Sequence, residues 1–298
     1  MIKKIVRAAL KPKKTIKIVR KRYMPLDIDD AISNLKKSTE NRKKEGLGKP
    51  KVSIILLTFN NLKYTKACLY SILAYSDTCD LELVIVDNNS SDGTPEFLGN
   101  FAEEHKNVKL TLNKTNKGFS GGCNQGIKKA TGEYIIFLNN DTIVTPGWVE
   151  KLILPLKDKK VGLVGPLTNF MWNHQEIDIF YRSLGAMLKK SSVVTNRNKG
   201  KVREADDIAF FCVAARTELI RKIGELDERF GIGMFEDDDY CLRVVKSGYK
   251  IVVAKDVFVH HFGQISLFSL GKGKYNELFE ENKKKFEEKW GIKWEETK

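Results

Sequence analysis

From Lys51 onward, short apolar runs alternate with stretches of helical spacing, and this alternation constrains the fold more than any other feature. The runs are largely uninterrupted by polar residues, which is typical of strands buried on both faces of a sheet. They lie at 52–57, 81–86, 108–112, 134–138 and 161–164, with helical stretches at about 62–75, 92–104, 119–130 and 146–157 between them. Connections of that length cross over between parallel strands. The sequence therefore predicts an α/β fold: a doubly wound, mostly parallel sheet with helices on both faces, whose ligand binds at the carboxyl ends of the strands.

The rest of the chain is organised around this core. Residues 166–205 show no clear period, whereas a strand and a helix are predicted in 207–223, a helix at 236–247, two short strands in 249–260 and a charged helix at 274–290. We expect a basic arm and linker at 1–50, one domain at 51–265 with a nucleotide-binding half (51–145) and an acceptor or catalytic half (146–265), and a helical extension at 266–298.

The net charge of +14 is concentrated in the arm. Residues 1–50 carry 16 Lys and Arg against 5 Asp and Glu, whereas the remaining residues carry 36 against 33. A nearly balanced body does not indicate a nucleic-acid-binding domain, and we expect no nucleic-acid partner. Within the arm, Ile2, Ile5, Val6 and Ala9 fall at helical spacing among lysines. Two interpretations stay open for residues 1–25: contact with an anionic membrane, or a solvated tail.

The compartment is inferred from cysteines and from hydropathy. The five cysteines are odd in number and form no CxxC pair, which disfavours a disulfide framework or a zinc knuckle and favours a reducing compartment. No apolar run approaches the ~20 residues of a membrane-spanning helix. We expect a cytoplasmic protein, which the arm would hold at the inner face of the cell membrane if it binds lipid.

Polar residues follow the first two predicted strands. Thr58 and Asn60 come after the first, and a run from Asp87 to Thr94 comes after the second. Asp87 is placed to accept hydrogen bonds from a base or ribose, as acidic residues do in nucleotide sites. The alternative is a turn, because this run is rich in residues that tolerate tight backbone conformations.

A glycine-rich segment at 116–126 leads into the third helix of the sheet region. Glycines at such a place let backbone approach a ligand closely. The segment matches neither GxGxxG nor a Walker loop, which disfavours a dinucleotide enzyme or a P-loop nucleotidase.

The fourth strand ends in Asn139, Asn140 and Asp141. A carboxylate at the sheet edge suits a hard divalent cation, manganese or magnesium, that also binds phosphate oxygens. A simple strand-ending turn is the alternative.

The most acidic point of the chain, Glu236 to Asp239, opens a predicted helix, where helix capping is one interpretation. Four adjacent carboxylates exceed what capping requires, and their repulsion should raise at least one pKa toward a value useful for a general base. His260 and His261 follow a later strand, and imidazole is a ligand for manganese-type sites as well as a common structural group.

Taken together and in order, these segments resemble family-2 glycosyltransferases, inverting enzymes with the GT-A fold, a Rossmann-like architecture. The subgroup to which the chain is most similar builds bacterial surface polysaccharides and includes rhamnosyltransferases. The similarity runs from about residue 51 to residue 266, and it is carried by SIILLTFN at 53–60, VDNNSSDG at 86–93, NKGFSGGCN at 116–124, LNNDT at 138–142, FEDDD at 235–239 and VHHFG at 259–263.

The resemblance implies a role for each candidate residue. The nucleotide sugar would be held by Thr58, Asn60, Asp87, Asn116, Gly118, Asn124, Asn139, Asn140 and Asp141. Asp141 would bind a divalent metal that bridges the diphosphate, with His260 the better match to the family's late histidine and His261 the alternative. The first member of this DxD-like motif is Asn139 rather than Asp, which puts strict metal dependence in question.

Asp237 matches the catalytic aspartate, and Glu236 and Asp239 would orient it or meet the acceptor. The resemblance thus implies transfer of a sugar from a UDP- or dTDP-sugar to a saccharide or lipid-linked acceptor. The alternatives are a sugar-phosphate nucleotidyltransferase and a non-catalytic anion- or membrane-binding module.

Overall fold

A computed structural model describes residues 26–40, 51–76, 79–171, 173–263 and 272–294. The strands are β1 (Lys51–Thr58), β2 (Asp80–Asp87), β3 (Val108–Leu112), β4 (Tyr134–Asn139), β5 (Thr142–Ile143), β6 (Val161–Leu167), β7 (Val202–Ala205), β8 (Cys212–Arg216), β9 (Lys250–Phe258) and β10 (His260–His261). The helices are α1 (Ile28–Glu40), α2 (Leu62–Tyr75), α3 (Thr94–Glu104), α4 (Gly118–Lys129), α5 (Trp148–Ile153), α6 (Leu184–Arg197), α7 (Thr217–Ile223), α8 (Glu236–Lys246) and α9 (Lys272–Trp290). Short 3₁₀ turns lie at Leu154–Lys157 and Glu228–Phe230.

Eight strands form one sheet in the order β3-β2-β1-β4-β8-β6-β9-β7. The pairs β2–β3, β1–β2, β1–β4 and β6–β9 are parallel, whereas β8 runs antiparallel to both β4 and β6, and β7 antiparallel to β9. The carboxyl ends of β1, β2, β4, β6 and β9 therefore share one edge, and the residues before β8 reach the same edge. The prediction of a mostly parallel α/β sheet is confirmed.

The predicted strands and helices agree with the structure except in two regions. Residues 166–205 contain α6 and the edge strand β7, which the sequence did not indicate. The inner face of α6 includes the buried Ser191 and Thr195, so no continuous apolar stripe marks the helix. In the second region, 249–260, the two short predicted strands are a single nine-residue strand, β9, followed by β10, which pairs with β5.

The ends of the described chain pack on the body. Leu26, Ala31 and Leu35 are buried in the main core, so α1 belongs to the folded body although it lies in the predicted arm. The predicted membrane contact at residues 1–25 lies outside the described residues. At the other end, α9 contributes Phe286 to a second, smaller core with Phe230 and Phe235. None of the helices in the described ranges is long and apolar enough to cross a membrane.

Candidate active site

Asp87, at the end of β2, is the centre of a hydrogen-bond network on the shared sheet edge. Thr58 Oγ1 donates to its Oδ1 at 2.8 Å, and Ser90 Oγ donates to the same oxygen at 2.5 Å. The Ser90 amide donates to Oδ2 at 2.9 Å, and the Asn60 amide in turn donates to Ser90 Oγ at 2.6 Å. Thr58 and Asp87 are buried, while Asn60 and Ser90 are partly exposed. A ligand at this rim thus meets Asn60 and Ser90 first, and Asp87 holds them in place.

The sharp turns after β1 and β2 explain the asparagines found there. Asn60, Asn61 and Asn89 have φ angles of 53°, 63° and 68°. Asparagine tolerates this left-handed region better than most residues because its short side chain bonds locally. The Asn61 side chain does so, since its Nδ2 donates to Phe59 O at 3.2 Å. Asn60 instead joins the two turns, because its Oδ1 accepts from the Ser91 amide at 2.8 Å.

The glycines of α4 serve packing between protein segments. A Cβ at Gly118, whose φ is +72°, would lie 1.9 Å from the carbonyl oxygen of Gly231. A Cβ at Gly122 would lie 2.2 Å from Leu57 Cδ1, and one at Gly126 would lie 2.4 Å from Ile55 Cγ2. The glycines let α4 press onto β1 and onto the loop before α8, which differs from the expectation that they admit a ligand.

Asn116 and Asn124 also bond within the protein. Asn116 Oδ1 accepts from the Gly118 amide at 2.8 Å. Asn124 is buried; its Nδ2 donates to Leu226 O and Glu228 Oε1, both at 2.9 Å, and its Oδ1 accepts from the Leu226 amide at 3.0 Å. This amide ties α4 to the loop at 226–228 rather than facing the sheet edge.

Asp141 lies between β4 and β5, next to β10, the antiparallel partner of β5. Asn140 Nδ2 donates to Thr65 Oγ1 at 2.9 Å, which fixes the turn, and Asn139 ends β4 with its amide bonded to Phe211 O at 2.8 Å. Asp141 is buried, and its Oδ1 is 3.4 Å from His261 Nε2.

His261, rather than the favoured His260, makes the short contact with Asp141. His261 stacks on Phe211 with ring centroids 4.9 Å apart, and its Nδ1 lies 3.3 Å from Phe170 O. Because a carbonyl oxygen only accepts, this contact places the proton on Nδ1 and leaves Nε2 to face the carboxylate.

His260, the first residue of β10, is also buried, and its Nδ1 bonds Tyr181 Oη at 2.6 Å. Burial, with the neighbouring His261, lowers the pKa of His260 to about 3, so the imidazole is neutral.

Two side chains next to β10, Asp141 and His261, offer ligand atoms for a divalent cation. A carboxylate oxygen and an imidazole nitrogen, both buried and facing each other, are ligands that manganese accepts. Across the described ranges, no cluster of three or more His, Cys, Asp and Glu could hold a metal by itself. The residues therefore fit a cation that takes its remaining ligands from substrate phosphate and water, as magnesium does in phosphate sites.

The first turn of α8 carries carboxylates with raised pKa values. Burial and the adjacent Asp237 raise the pKa of Glu236 to about 8, and its Oε2 is buried without a hydrogen-bond partner among the described residues. Burial also raises the pKa of the partly exposed Asp237, whose Oδ1 accepts from the Asp238 amide at 3.0 Å. This is the environment of a general base that works near neutral pH.

Asp239 points away from this group. It is fully buried, its Oδ2 accepts from Arg243 Nε at 3.0 Å, and its Oδ1 accepts from Lys289 Nζ at 2.6 Å and Trp290 Nε1 at 3.0 Å. The expectation that Asp239 could meet the acceptor does not agree with this placement.

Asp207 is a candidate that sequence reasoning missed. Burial, with Asp237 and Asp206 nearby, raises its pKa to about 7. It precedes β8, whereas the local signal for the sheet edge is a polar residue that follows a strand. Because β8 is antiparallel, its preceding loop reaches the edge where the parallel strands end.

Solved structures define the class of the fold. GalNAc-T7 bound to UDP, GalNAc and Mn²⁺ matches 86% of this chain and 53% of its own, at 15% identity and a TM-score of 0.58. The mannosyltransferase PcManGT of Pyrobaculum calidifontis, with GDP-Man and Mn²⁺, matches 78% of this chain and 64% of its own, at 19% identity and a TM-score of 0.54. A TarS 1–349 structure from S. aureus, with UDP-GlcNAc, matches 70% of this chain and 58% of its own, at 18% identity and a TM-score of 0.51. The fold is that of the GT-A glycosyltransferases.

The chain belongs to Glycosyl transferase family 2, whose model matches residues 53–223, and it is a glycosyltransferase. Glycosyltransferase AglE of Haloferax volcanii is 26% identical over 75% of this chain and 73% of its own length. A Campylobacter jejuni relative named GalNAc(5)-diNAcBac-PP-undecaprenol beta-1,3-glucosyltransferase is 34% identical over 35% of this chain, which spans 34% of that relative.

Proposed function

We propose that the protein transfers a sugar, with inversion, from a UDP- or dTDP-sugar to a saccharide or lipid-linked acceptor in cell-surface glycan synthesis. The observation that carries the proposal is a carboxylate with a raised pKa, Asp237, which accepts a hydrogen bond from the Phe210 backbone just before β8. The next residue, Phe211, stacks on His261 of the Asp141–His261 pair. One group suits a proton acceptor, and the other suits the ligation of a diphosphate-bound cation. A nucleotidyltransferase or a non-catalytic module is disfavoured by membership in the family.

Asp237 is the general base in this mechanism. Its carboxylate accepts the proton of the acceptor hydroxyl as that oxygen bonds to the anomeric carbon, while the bond from this carbon to the diphosphate oxygen breaks with its electron pair. Attack from the face opposite the leaving group inverts the configuration. General-base catalysis of this kind contributes about 10²–10⁴-fold in rate.

Asp141 and His261 would hold the divalent cation, manganese or magnesium, with His260 packed behind them. When bound, the cation supplies Lewis-acid stabilisation of the negative charge on the diphosphate. The structures of GalNAc-T7 with UDP and Mn²⁺ and of PcManGT with GDP-Man and Mn²⁺ support this assignment.

The nucleotide would lie along the rim formed by Asn60 and Ser90 and supported by Asp87 and Thr58. The TarS structure with UDP-GlcNAc supports a uridine donor. The lipid-linked name of the Campylobacter relative supports an acceptor on a polyprenyl diphosphate. We also propose that residues 51–265 form the catalytic unit, with its two halves meeting at residue 145.

A peripheral membrane contact through residues 1–25 is part of the proposal. This segment has ten Lys and Arg and no Asp or Glu. Asp27, in the described chain, lies beside a second basic stretch, because its amide donates to Arg182 O at 3.2 Å. Residues 179–203 hold seven Lys and Arg without an acidic residue, and Val193 and Val202 are exposed among them. Each Lys or Arg near an anionic leaflet contributes about 1 kcal/mol.

The membrane contact is tested by deletion of residues 1–25, and no further, because Leu26 and α1 pack in the core. Sedimentation with phosphatidylglycerol vesicles should fall for the truncated protein while transfer to a soluble acceptor is retained. Equal sedimentation of both proteins would contradict the contact.

The enzymatic proposal is tested in two steps. A thermal-shift screen of nucleoside diphosphates and nucleotide sugars with Mn²⁺ or Mg²⁺ identifies the donor. Asp237→Asn should then bind that donor normally and lose transfer, while Asp238→Asn, a carboxylate change on the same helical turn, retains it. Transfer by Asp237→Asn at the wild-type rate would remove Asp237 from the role of base.

A further inference from the structure

The loop at 230–235, which leads into the base-bearing helix α8, has a backbone that is unfavourable by itself. Gly231 and Gly233 have φ angles of 60° and 151°, and Met234 and Phe235 have φ angles of 77° and 72°. Two consecutive side-chain-bearing residues in the left-handed region persist only where surrounding contacts hold them. The start of α8, and with it the position of Asp237, depends on those contacts.

Asn282 of α9 supplies hydrogen bonds to this loop. Its side chain is fully buried, and its Nδ2 donates to Phe230 O at 2.7 Å, Gly233 O at 2.8 Å and Met234 O at 3.3 Å. An amide nitrogen has two hydrogens, so its whole donor capacity is spent on these carbonyls. Its Oδ1 accepts from Lys285 Nζ at 3.2 Å within α9, so the donors go to the strained loop while the acceptor stays on the helix. A buried amide that donates to three carbonyls of a strained loop sets the conformation of that loop.

Aromatic packing from α9 and the residues after it adds to the restraint. The ring of Phe235 lies 5.3 Å from that of Phe279, 5.8 Å from that of Phe286 and 5.0 Å from that of Trp294, measured between centroids. This cluster is separate from the main core. A major buried face of α9 therefore packs on the loop at 230–235 rather than on the sheet.

A second attachment lies one turn into α8. Lys289 and Trp290 of α9 both donate to Oδ1 of Asp239, two residues after the base. The loop and the helix are thus both held by α9, at points that flank Asp237.

The loop also contacts the start of α4, which packs on β1. The Phe119 amide at the start of α4 donates to Gly231 O at 3.2 Å and to Ile232 O at 3.3 Å. A displaced loop would therefore be felt at α8 and at α4 together.

We propose that α9 is a positioning element for the general base, in which Asn282 sets the loop at 230–235 and Lys289 with Trp290 fixes Asp239. The inference rests on the proposed role of Asp237. Residues 272–294 lie outside the range matched by the family model, which ends at residue 223. The inference rests on the hydrogen bonds of Asn282, Lys289 and Trp290 in this chain.

The test compares Asn282→Leu, which keeps the volume and removes the donors, with Ser76→Ala in the full chain. Ser76→Ala also removes one partner of a buried hydrogen bond, because Trp148 Nε1 donates to Ser76 Oγ at 2.7 Å away from α9. For Asn282→Leu we expect kcat to fall by about 10–100-fold, the loss typical of a misplaced catalytic group. The Kd for the selected nucleoside diphosphate should stay within about threefold, because the network around Asp87 is unchanged. Amide exchange at 231–240 should accelerate, whereas Ser76→Ala should leave kcat and this exchange as in the wild type.

Several results would overturn the inference. They are a wild-type kcat in Asn282→Leu, a fall in kcat no larger than that of Ser76→Ala, or unchanged exchange at 231–240. If Asn282→Leu does not fold, Trp290→Phe replaces it, since an aromatic ring is kept while the N–H bonded to Asp239 is lost with the five-membered ring of the indole. A wild-type kcat in Trp290→Phe would then count against the proposal. Failure of the base assignment is recognised separately, because Asp237→Asn would then retain transfer.

Discussion

Replacing Glu236 with glutamine should stabilise the protein, and the gain should grow as the pH rises. Glu236 is 7% exposed, its Oε2 has no hydrogen-bond partner among the described residues, and its pKa is raised from 4.5 to about 8 by burial and by Asp237. Between pH 4.5 and about pH 8, the native protein binds more protons at this carboxyl group than the unfolded chain does. Its stability therefore falls as the pH rises through this window.

The size of the effect follows from the shift. At about 1.36 kcal/mol per pKa unit, a rise from 4.5 to about 8 costs several kcal/mol once the native carboxylate is ionised, and about 2 kcal/mol of this is lost between about pH 6.5 and pH 8.5. Below about pH 6.5 the lowered pKa of His260 makes the free energy of unfolding increase with pH, opposite to the effect of Glu236. The comparison therefore starts at about pH 6.5.

Urea unfolding followed by tryptophan fluorescence at about pH 6.5, 7.5 and 8.5 measures this slope for wild type and Glu236→Gln. The wild-type free energy of unfolding should decrease over the series, and the variant should decrease less and exceed it at pH 8.5. Glu280→Gln is the control, because Glu280 is exposed on α9. A variant less stable than the wild type at pH 8.5, or with the same slope, would refute the burial argument.

Three further predictions follow from the site and its packing. His261→Gln should weaken the dependence of nucleotide binding on Mn²⁺, measured by calorimetry with and without the ion, because it removes the imidazole that faces Asp141; an unchanged metal dependence would exclude this histidine. Gly118→Ala should lower the free energy of unfolding by more than about 3 kcal/mol, since its Cβ would overlap Gly231 O at a positive φ. Gly99→Ala, with nothing within 4 Å of the new Cβ, should instead raise it by about 0.5–1 kcal/mol, and thermal unfolding measures both. Asp237→Asn should lower kcat by about 10²–10⁴-fold and raise the melting temperature, because it removes charge from beside Glu236, Asp238 and Asp207; a lower melting temperature would contradict the stated repulsion.

Most elements of the sheet region were predictable because their signals are local. Helix α2 was predicted at its observed bounds, and β1, β2 and β4 within one residue at each end. Continuous apolar runs and turn residues act within a few positions of the chain, so a short window of sequence contains them. A short window of sequence does not predict α6, because the inner face of this helix has Ser191 and Thr195 in place of apolar residues.

The sequence by itself determined the α/β class, the polar residues at the carboxyl ends of β1, β2 and β4, and the acidic start of α8, because periodicity and strand-ending polarity are written in adjacent residues. Only the tertiary structure decided which groups meet. His261 faces Asp141 from more than 100 positions away along the chain. Asp207 reaches the edge because β8 runs backwards, and Asp239 turns from the acceptor side to Lys289 and Trp290. These pairings depend on strand order, strand direction and helix docking, which no local pattern specifies.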